Sequence, residues 1–311
     1  VTNSGSDTIS VRLGKAGGGF EMATSAAVAA QPMAVRSVDL NGDKKLDLVV
    51  ACAYDSAVSV LIGKGDGTFA AATKVPVAAN PQAILVGDFT GDGKMDVVTA
   101  SYDKGTISVL SGKGDGTFAA AAQSTTVGSR PLGLAAADLN GDKKLDLLVA
   151  NSGTGTLSIL LGKGDGTFAV TGQEVGQSPF AVTIADVNGD RKADALVANA
   201  DTNNVSVLLG KGDGSFEVKT AVSVGSGPNS VASADFDGDG KLDLATANYG
   251  SDSVAPFLGG GDGTFKGLMT SAVGPGVFSL SAADLNADGK PDLALVARAS
   301  GKLQVLLSTA Q

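Results

Sequence analysis

The sequence contains no histidine, no tryptophan and a single cysteine, Cys52. Without histidine there is no Ser-His-Asp triad, no imidazole metal ligand and no imidazole acid or base. One cysteine makes neither an internal disulfide nor a thiolate zinc cage, and Cys52 reads as a small buried hydrophobe. Glutamate occurs only at Glu21, Glu174 and Glu217, so almost all of the acid is aspartate. Lysine and arginine number 23 against 32 acidic residues, and the formal charge of −9 argues against nucleic acid as a partner. No apolar run is long enough to span a membrane. Neither an initiator methionine nor a basic-then-apolar leader opens the chain, so Val1 reads as a cut end, and the expectation is one domain, 1–311, of a longer protein.

What is plentiful is glycine, 44 residues in 311. Glycine and aspartate suit turns and metal loops and disfavour helices. Here they are periodic. A string of the form Asp-x-Asn-Gly-Asp starts at Asp39, Asp88, Asp138, Asp186, Asp235 and Asp284, in steps of 49, 50, 48, 49 and 49 residues. A Gly-Lys-Gly-Asp-Gly-Thr-Phe string recurs in phase and ends at Phe69, Phe118, Phe168, Phe216 and Phe265, with a degenerate first copy, Lys15 to Phe20. A Val-Ser-Val-Leu-Leu run occurs seven times, from Ile9-Ser10-Val11 to Leu303–Leu307.

Each unit reads as four short strands. The first precedes the Asp loop, as in Ala83–Val86, and opens on proline at Pro32, Pro81, Pro131, Pro179 and Pro228, where a missing N–H is tolerated. The second follows the loop, as in Leu46–Val50. The third is the Ser-Val-Leu-Leu run. The Gly-Asp-Gly turn leads to a fourth, such as Ala70–Val75, because glycine accepts the positive φ of a hairpin turn. Four strands in about 49 residues make one propeller blade. The small residues of the first strand, such as Leu134-Ala135-Ala136-Ala137, suit a crowded central axis. The chain opens in the second strand of a unit and closes after the third of another, which totals 26 strands. The expectation is an all-β propeller of seven blades of four antiparallel strands, with an inner strand of the first blade lost before Val1 and an outer strand of the last absent after Leu307. Six blades are the alternative.

The Asp loops carry the chemistry. The first places Asp39, Asn41, Asp43 and Asp47 at loop positions 1, 3, 5 and 9. The others supply Asp88, Thr90, Asp92 and Asp96; Asp138, Asn140, Asp142 and Asp146; Asp186, Asn188, Asp190 and Asp194; Asp235, Asp237, Asp239 and Asp243; and Asp284, Asn286, Asp288 and Asp292. Oxygens at alternate positions of a tight loop converge on one side, as in the front of an EF-hand loop. An all-oxygen set selects a hard cation, and a flexible many-oxygen loop suits Ca²⁺ better than Mg²⁺. The loop at Asp235 is the richest in carboxylate, and Thr90 makes the loop at Asp88 poorer. Lys44, Lys143 and Arg191 stand where Gly93, Gly240 and Gly289 provide the sharp turn, which predicts local strain. The loops hold 19 of the 32 acidic residues, so six bound Ca²⁺ ions would change −9 to about +3. Asp66, Asp115, Asp165, Asp213 and Asp262, in the Gly-Asp-Gly turns, read as turn formers instead, and the phenylalanines after them as blade core.

The Asp-x-Asn-Gly-Asp-x-x-x-Asp-Leu loop, together with Gly-Asp-Gly-Thr-Phe, resembles the FG-GAP/VCBS repeat family along the full chain. The resemblance implies a calcium-binding β-propeller, related to the seven-bladed head of the integrin α chain, in an extracellular, secreted or cell-surface setting. Integrin-style Phe-Gly and Gly-Ala-Pro signatures are absent, so adhesion residues do not carry over. Three functions follow as readings: a recognition or adhesion module for a protein or carbohydrate, such as a lectin-like one; a structural propeller of a larger surface protein; or an enzyme acting on polysaccharide, a lyase or hydrolase. The first leads. Its candidate contacts are Tyr54, Tyr102 and Tyr249, the only tyrosines, expected at one place in the loop after the second strand, and Arg36, the odd member of the first-strand series, expected at a channel mouth that accepts an anion. The enzyme reading is disfavoured because few carboxylates lie outside the repeat motifs: Asp7, Glu21, Asp55, Asp103, Glu174, Asp201, Glu217 and Asp252.

Overall fold

The computed structural model describes residues 1–15, 19–120 and 124–308. The centre of the degenerate first turn, Ala16 to Gly18, lies outside the described residues. The described chain forms seven antiparallel sheets arranged as the blades of a propeller, and an additional two-stranded hairpin, Gly14–Lys15 with Gly19–Phe20. A single 3₁₀ turn, Tyr249–Ser251, is the only helical segment among the described residues. Among the described residues no helix is long and apolar enough to cross a membrane.

The fourth blade shows the pattern. Pro131–Ala137 lies innermost, followed by Asp146–Asn151, Thr156–Gly162 and Phe168–Glu174, each paired with the one before. Five blades have all four strand positions. The first has three strands and lacks the innermost; the last, Val277–Ala283, Asp292–Ala297 and Lys302–Leu306, lacks the outermost. That is the seven-blade arrangement the repeat phase implies. The short pieces Phe265–Gly267 and Ser271–Ala272 share the outer position of the sixth blade, both pairing with Ser253–Gly259.

Outer strands vary most. In the fourth and fifth blades they begin at Phe168 and Phe216 and run seven and eight residues. In the second, only an isolated bridge joins Gly63 to Phe69, and pairing resumes at Thr73–Pro76. The intervening Ala70-Ala71-Ala72 lacks the β-branched side chains that Val170-Thr171 and Val218 supply in the longer strands. The expected strand at Ala70–Val75 is therefore shorter than its sequence phase suggests.

The second strand of each complete blade is the hydrophobic centre, with every residue from Asp146 to Asn151 buried. Its two faces pack against neighbouring blades. Phe118 joins Leu40, Val49 and Val60 of the preceding blade, and Phe168 joins Phe89. These phenylalanines are core, as expected, and Cys52 is fully buried and unpaired. Burial pushes its thiol above the ordinary value.

The first glycine of each Gly-Lys-Gly-Asp-Gly turn sits against the loop of its own blade. A Cβ on Gly162 would overlap the carbonyl oxygen of Leu145, and one on Gly63 that of Leu46. Backbone leaves no room to yield here, so Gly162→Ala is expected to cost about 1–3 kcal/mol or more. Gly5→Ala, with nothing within 4 Å of the added carbon, is expected to stay within about 0.5 kcal/mol of the parent. Urea unfolding of the two variants checks this, and equal midpoints would contradict the packing account.

Candidate functional site in the aspartate loops

All six loops close in the same way. The carboxylate at position 1 accepts backbone N–H groups across the loop. Asp39 receives Asn41 and Gly42 on Oδ1 at 3.2 and 2.8 Å, and Lys44 on Oδ2 at 2.7 Å. Asp235 receives Gly238, Asp239 and Gly240 at 2.7–3.1 Å. Position 5 accepts the N–H of position 7 in every loop, and in every loop except that at Asp88 the side chain at position 3 accepts the N–H of position 5, as at Asn41, Asp43 and Lys45. For Asp39 and Asp138 partial desolvation works upward, but four backbone N–H donors outweigh it and hold each carboxyl below the usual range. At Asp284 the N–H of Gly289 is the leading cause of the same downward shift.

Position 6 needs a left-handed backbone. Gly93, Gly240 and Gly289 adopt it at φ of 80–85°, and Lys44, Lys143 and Arg191 adopt it at 63–66°. The strain expected at those three residues is therefore present. In the last loop, where position 6 is glycine, the strained residue is instead Ala287 at position 4, with φ 64°.

The position-9 aspartates behave differently from the other loop acids. They were expected to converge with positions 1, 3 and 5. Asp146 instead has no exposed surface and holds two backbone segments together: Oδ2 accepts the N–H of Leu139 at 2.8 Å and Oδ1 that of Gly162 at 2.7 Å. Asp47, Asp96, Asp194, Asp243 and Asp292 repeat this bond for bond, with Ser308 replacing glycine in the last blade. Burial raises the carboxyls of Asp146, Asp194 and Asp243. They act as struts between the loop and the Gly-Asp-Gly turn. Among the described residues, the one group of three carboxylates with oxygens within 4.8 Å of one another is Asp235, Asp237 and Asp239, and Asp243 stands outside it.

The lysine at position 7 is a recurrent part of the site that sequence reading missed, although Lys45, Lys94, Lys144, Lys192, Lys241 and Lys290 stand in phase. The first five lay their methylenes over the second glycine of the turn, as Lys144 does on Gly164, and point their amines at the position-5 carboxylate at 3.0–3.9 Å. The loops also touch the next blade: the last turn glycine donates to the position-2 carbonyl, in Gly166 to Phe89, Gly214 to Leu139 and Gly263 to Val187, at 3.0–3.2 Å. Turn aspartates such as Asp165 accept their own threonine's N–H and hydroxyl, as turn formers do.

The oxygen-only donors of positions 1, 3 and 5 are of the kind a hard cation takes. In the loop at Asp88 the Thr90 hydroxyl is buried and has no hydrogen-bond partner. It does lie close enough to Asp92 to contribute, after the N–H and amine of Lys94, to holding that carboxyl low.

The tyrosines lie on the opposite rim. Tyr102 and Tyr249 directly follow their second strands, and Tyr54 comes one residue later, after Ala53, so the three are not equivalent. Tyr54 is 82% exposed, Tyr249 is 47% exposed and meets Phe278 edge-on at 6.2 Å, and Tyr102 has Arg130 over its ring at 5.8 Å. Arg36 is not at this rim; it pairs with Val49 in the loop-side half of its strand. Several carboxylates outside the motifs tie blades together here. Asp7 accepts the Gln31 N–H at 2.8 Å, Asp55 pairs with Lys74 at 2.5 Å, Asp201 accepts the Ser178 hydroxyl at 2.5 Å, and Asp252 accepts the Gly276 N–H at 2.7 Å.

A ring of four-stranded blades, each with an aspartate loop between its first two strands, defines a repeat propeller. The FG-GAP-like repeat matches residues 39–99, 88–149, 138–197, 186–246 and 235–295, and the chain belongs to that family. No curated protein matches it in sequence. Among solved structures it resembles a candidate 6-phosphogluconolactonase of Bacteroides uniformis, with TM-score 0.72, 18% identity and coverage of 96% of this chain and 92% of that one. A lectin of Agrocybe aegerita that recognises non-reducing terminal N-acetylglucosamine has TM-score 0.57, 19% identity and coverage of 96% and 90%. BBS1N, solved in complex with ARL6DN, has TM-score 0.65, 13% identity and coverage of 89% and 79%. At these identities the likeness is one of fold.

Two outcomes test the loop geometry. Asp146→Ala leaves two buried N–H groups without an acceptor and is expected to cost roughly 1–3 kcal/mol for each; an unchanged unfolding midpoint would remove its role as a strut. Lys143→Gly relieves a left-handed lysine and is expected to raise stability by about 0.5–1 kcal/mol, after the extra chain entropy of glycine.

Proposed function

We propose that this propeller is a calcium-stabilised extracellular recognition or adhesion module for a protein or carbohydrate ligand. The convergence of Asp235, Asp237 and Asp239 is the observation that carries the calcium part. Three carboxylates within one turn repel one another unless a cation lies among them. The unpartnered Thr90 hydroxyl supports the same use of position 3 in a second loop. Ligands come from positions 1, 3 and 5 in each loop, with the position-9 aspartates fixing the loop shape. Weak loop sites of the ~10⁻⁴–10⁻³ M class fill at extracellular calcium and stay empty in resting cytosol, which favours a secreted or surface location.

Recognition is assigned to the tyrosine rim, where Tyr54 stands free. Propellers of the same fold include a sugar-binding lectin and a protein-binding BBS1 domain, which makes either ligand class reasonable for this scaffold. An enzymatic role has less support, because Asp7, Asp55, Asp201 and Asp252 are engaged in tying blades together.

Thermal unfolding at fixed ionic strength, with EDTA and with added calcium, tests the metal. Occupancy at a hundredfold excess over Kd is expected to stabilise by about 2.7 kcal/mol per site, with Asp239→Asn losing more of the shift than Asp92→Asn. An unchanged midpoint would refute calcium stabilisation. Tyr54→Ala with Tyr102→Ala is expected to weaken binding to any hit from a glycan or protein array, and unchanged affinity would move the recognition surface elsewhere.

A further inference from the structure

Glycine follows asparagine at three places, Asn41-Gly42, Asn140-Gly141 and Asn188-Gly189, and each pair fills positions 3 and 4 of an aspartate loop. The backbone nitrogen of the next residue can attack the side-chain amide of an asparagine, and a side chain on that residue is the chief obstacle. Glycine removes it.

The folded loops add geometry to the sequence pair. Each of the three glycines is exposed, and each has a positive φ, of 79°, 80° and 76°. Nothing lies within 4 Å of the place where a Cβ would stand, so a ring has room to close there. The glycine N–H already points at a proton acceptor: Gly42 donates to Asp39 at 2.8 Å, Gly141 to Asp138 at 2.7 Å and Gly189 to Asp186 at 2.8 Å. The amide oxygens of Asn41, Asn140 and Asn188 already accept the N–H of Asp43, Asp142 and Asp190 at 2.9–3.0 Å. A donor placed there stabilises the negative charge that builds on this oxygen during attack. Asn286 takes part in the same pair of bonds, at 2.9 and 2.7 Å, but is followed by Ala287. Asn151 and Asn199 are buried, and their side-chain nitrogens donate to Ser158 and Ser206.

We infer that Asn41, Asn140 and Asn188 are self-modification sites that deamidate in the folded protein. In the first loop the Gly42 nitrogen gives its proton to Asp39 and bonds to the side-chain carbonyl carbon of Asn41. The bond from that carbon to Nδ2 breaks, and Nδ2 takes up the proton and leaves as ammonia. A cyclic imide remains. Water adds at its side-chain carbonyl to give aspartate, or at its backbone carbonyl to give isoaspartate, and the C–N bond at the attacked carbon breaks. No oxidant or reductant is involved, and each event adds one negative charge. The aspartate product repeats Asp237, the position-3 residue of the loop at Asp235, so a converted loop gains the carboxylate set of the richest one. The inference goes beyond the recognition reading and requires no bound cation.

Timed incubation of the native protein in EDTA at mildly alkaline pH, followed by mass-spectrometric peptide mapping and an isoaspartate assay, tests this. Conversion at Asn41, Asn140 and Asn188 is expected to run at least about tenfold faster than at Asn286. Gly42→Ala should slow conversion of Asn41 at least about tenfold and leave Asn140 and Asn188 at the parent rate. The fold accepts alanine at this place, since Ala287 occupies position 4 of the last loop at φ 64°. Rates at the three sites no higher than at Asn286 would overturn the inference, and so would conversion seen only in denaturant. An unchanged rate at Asn41 in Gly42→Ala would overturn the ring-closure step.

Discussion

The structure depends on one buried contact repeated six times, the position-9 aspartate that accepts a loop N–H on one oxygen and a turn N–H on the other. Burying a carboxylate is unfavourable unless its lone pairs are met, and here two backbone donors meet them. The contact fixes the distance between the Asp loop and the Gly-Asp-Gly turn. That fixed spacing explains the absent side chain at Gly162 and the lysine arm laid over Gly164. It also lets Gly166 reach back to Phe89 of the preceding blade. Loop, turn and neighbouring loop thus form one hydrogen-bonded rim, and the cation-binding geometry of positions 1, 3 and 5 is built upon it.

One face carries the acidic loops, where lysines partly offset the position-5 carboxylates. Exposed pairs of this kind contribute at most about 1 kcal/mol each, so the lysines act at least as much through their packing against glycine.

Much of the architecture was legible because it is local and periodic. Proline at the start of the inner strand, the alternating apolar run of the second and the glycine of the turns each act within a few residues, and their phase counted the blades. The outer strands were less legible, since Ala70–Ala72 and Val170-Thr171 occupy the same phase yet only the second run is β-branched. The loop acids were visible as a set, but not their division of labour. Asp146 and Asp142 look alike in sequence, and burial alone makes the first a strut and leaves the second on the surface.

The sequence by itself determined the repeat, the class of fold and the clustering of carboxylate oxygens in six loops, because each follows from short-range spacing. Only the tertiary structure decided which aspartates face the backbone and that Arg36 lies in the loop-side half of its strand, away from the tyrosine rim. Asp47 and Gly63 stand sixteen residues apart along the chain, and they meet because the second and third strands of the blade pair side by side.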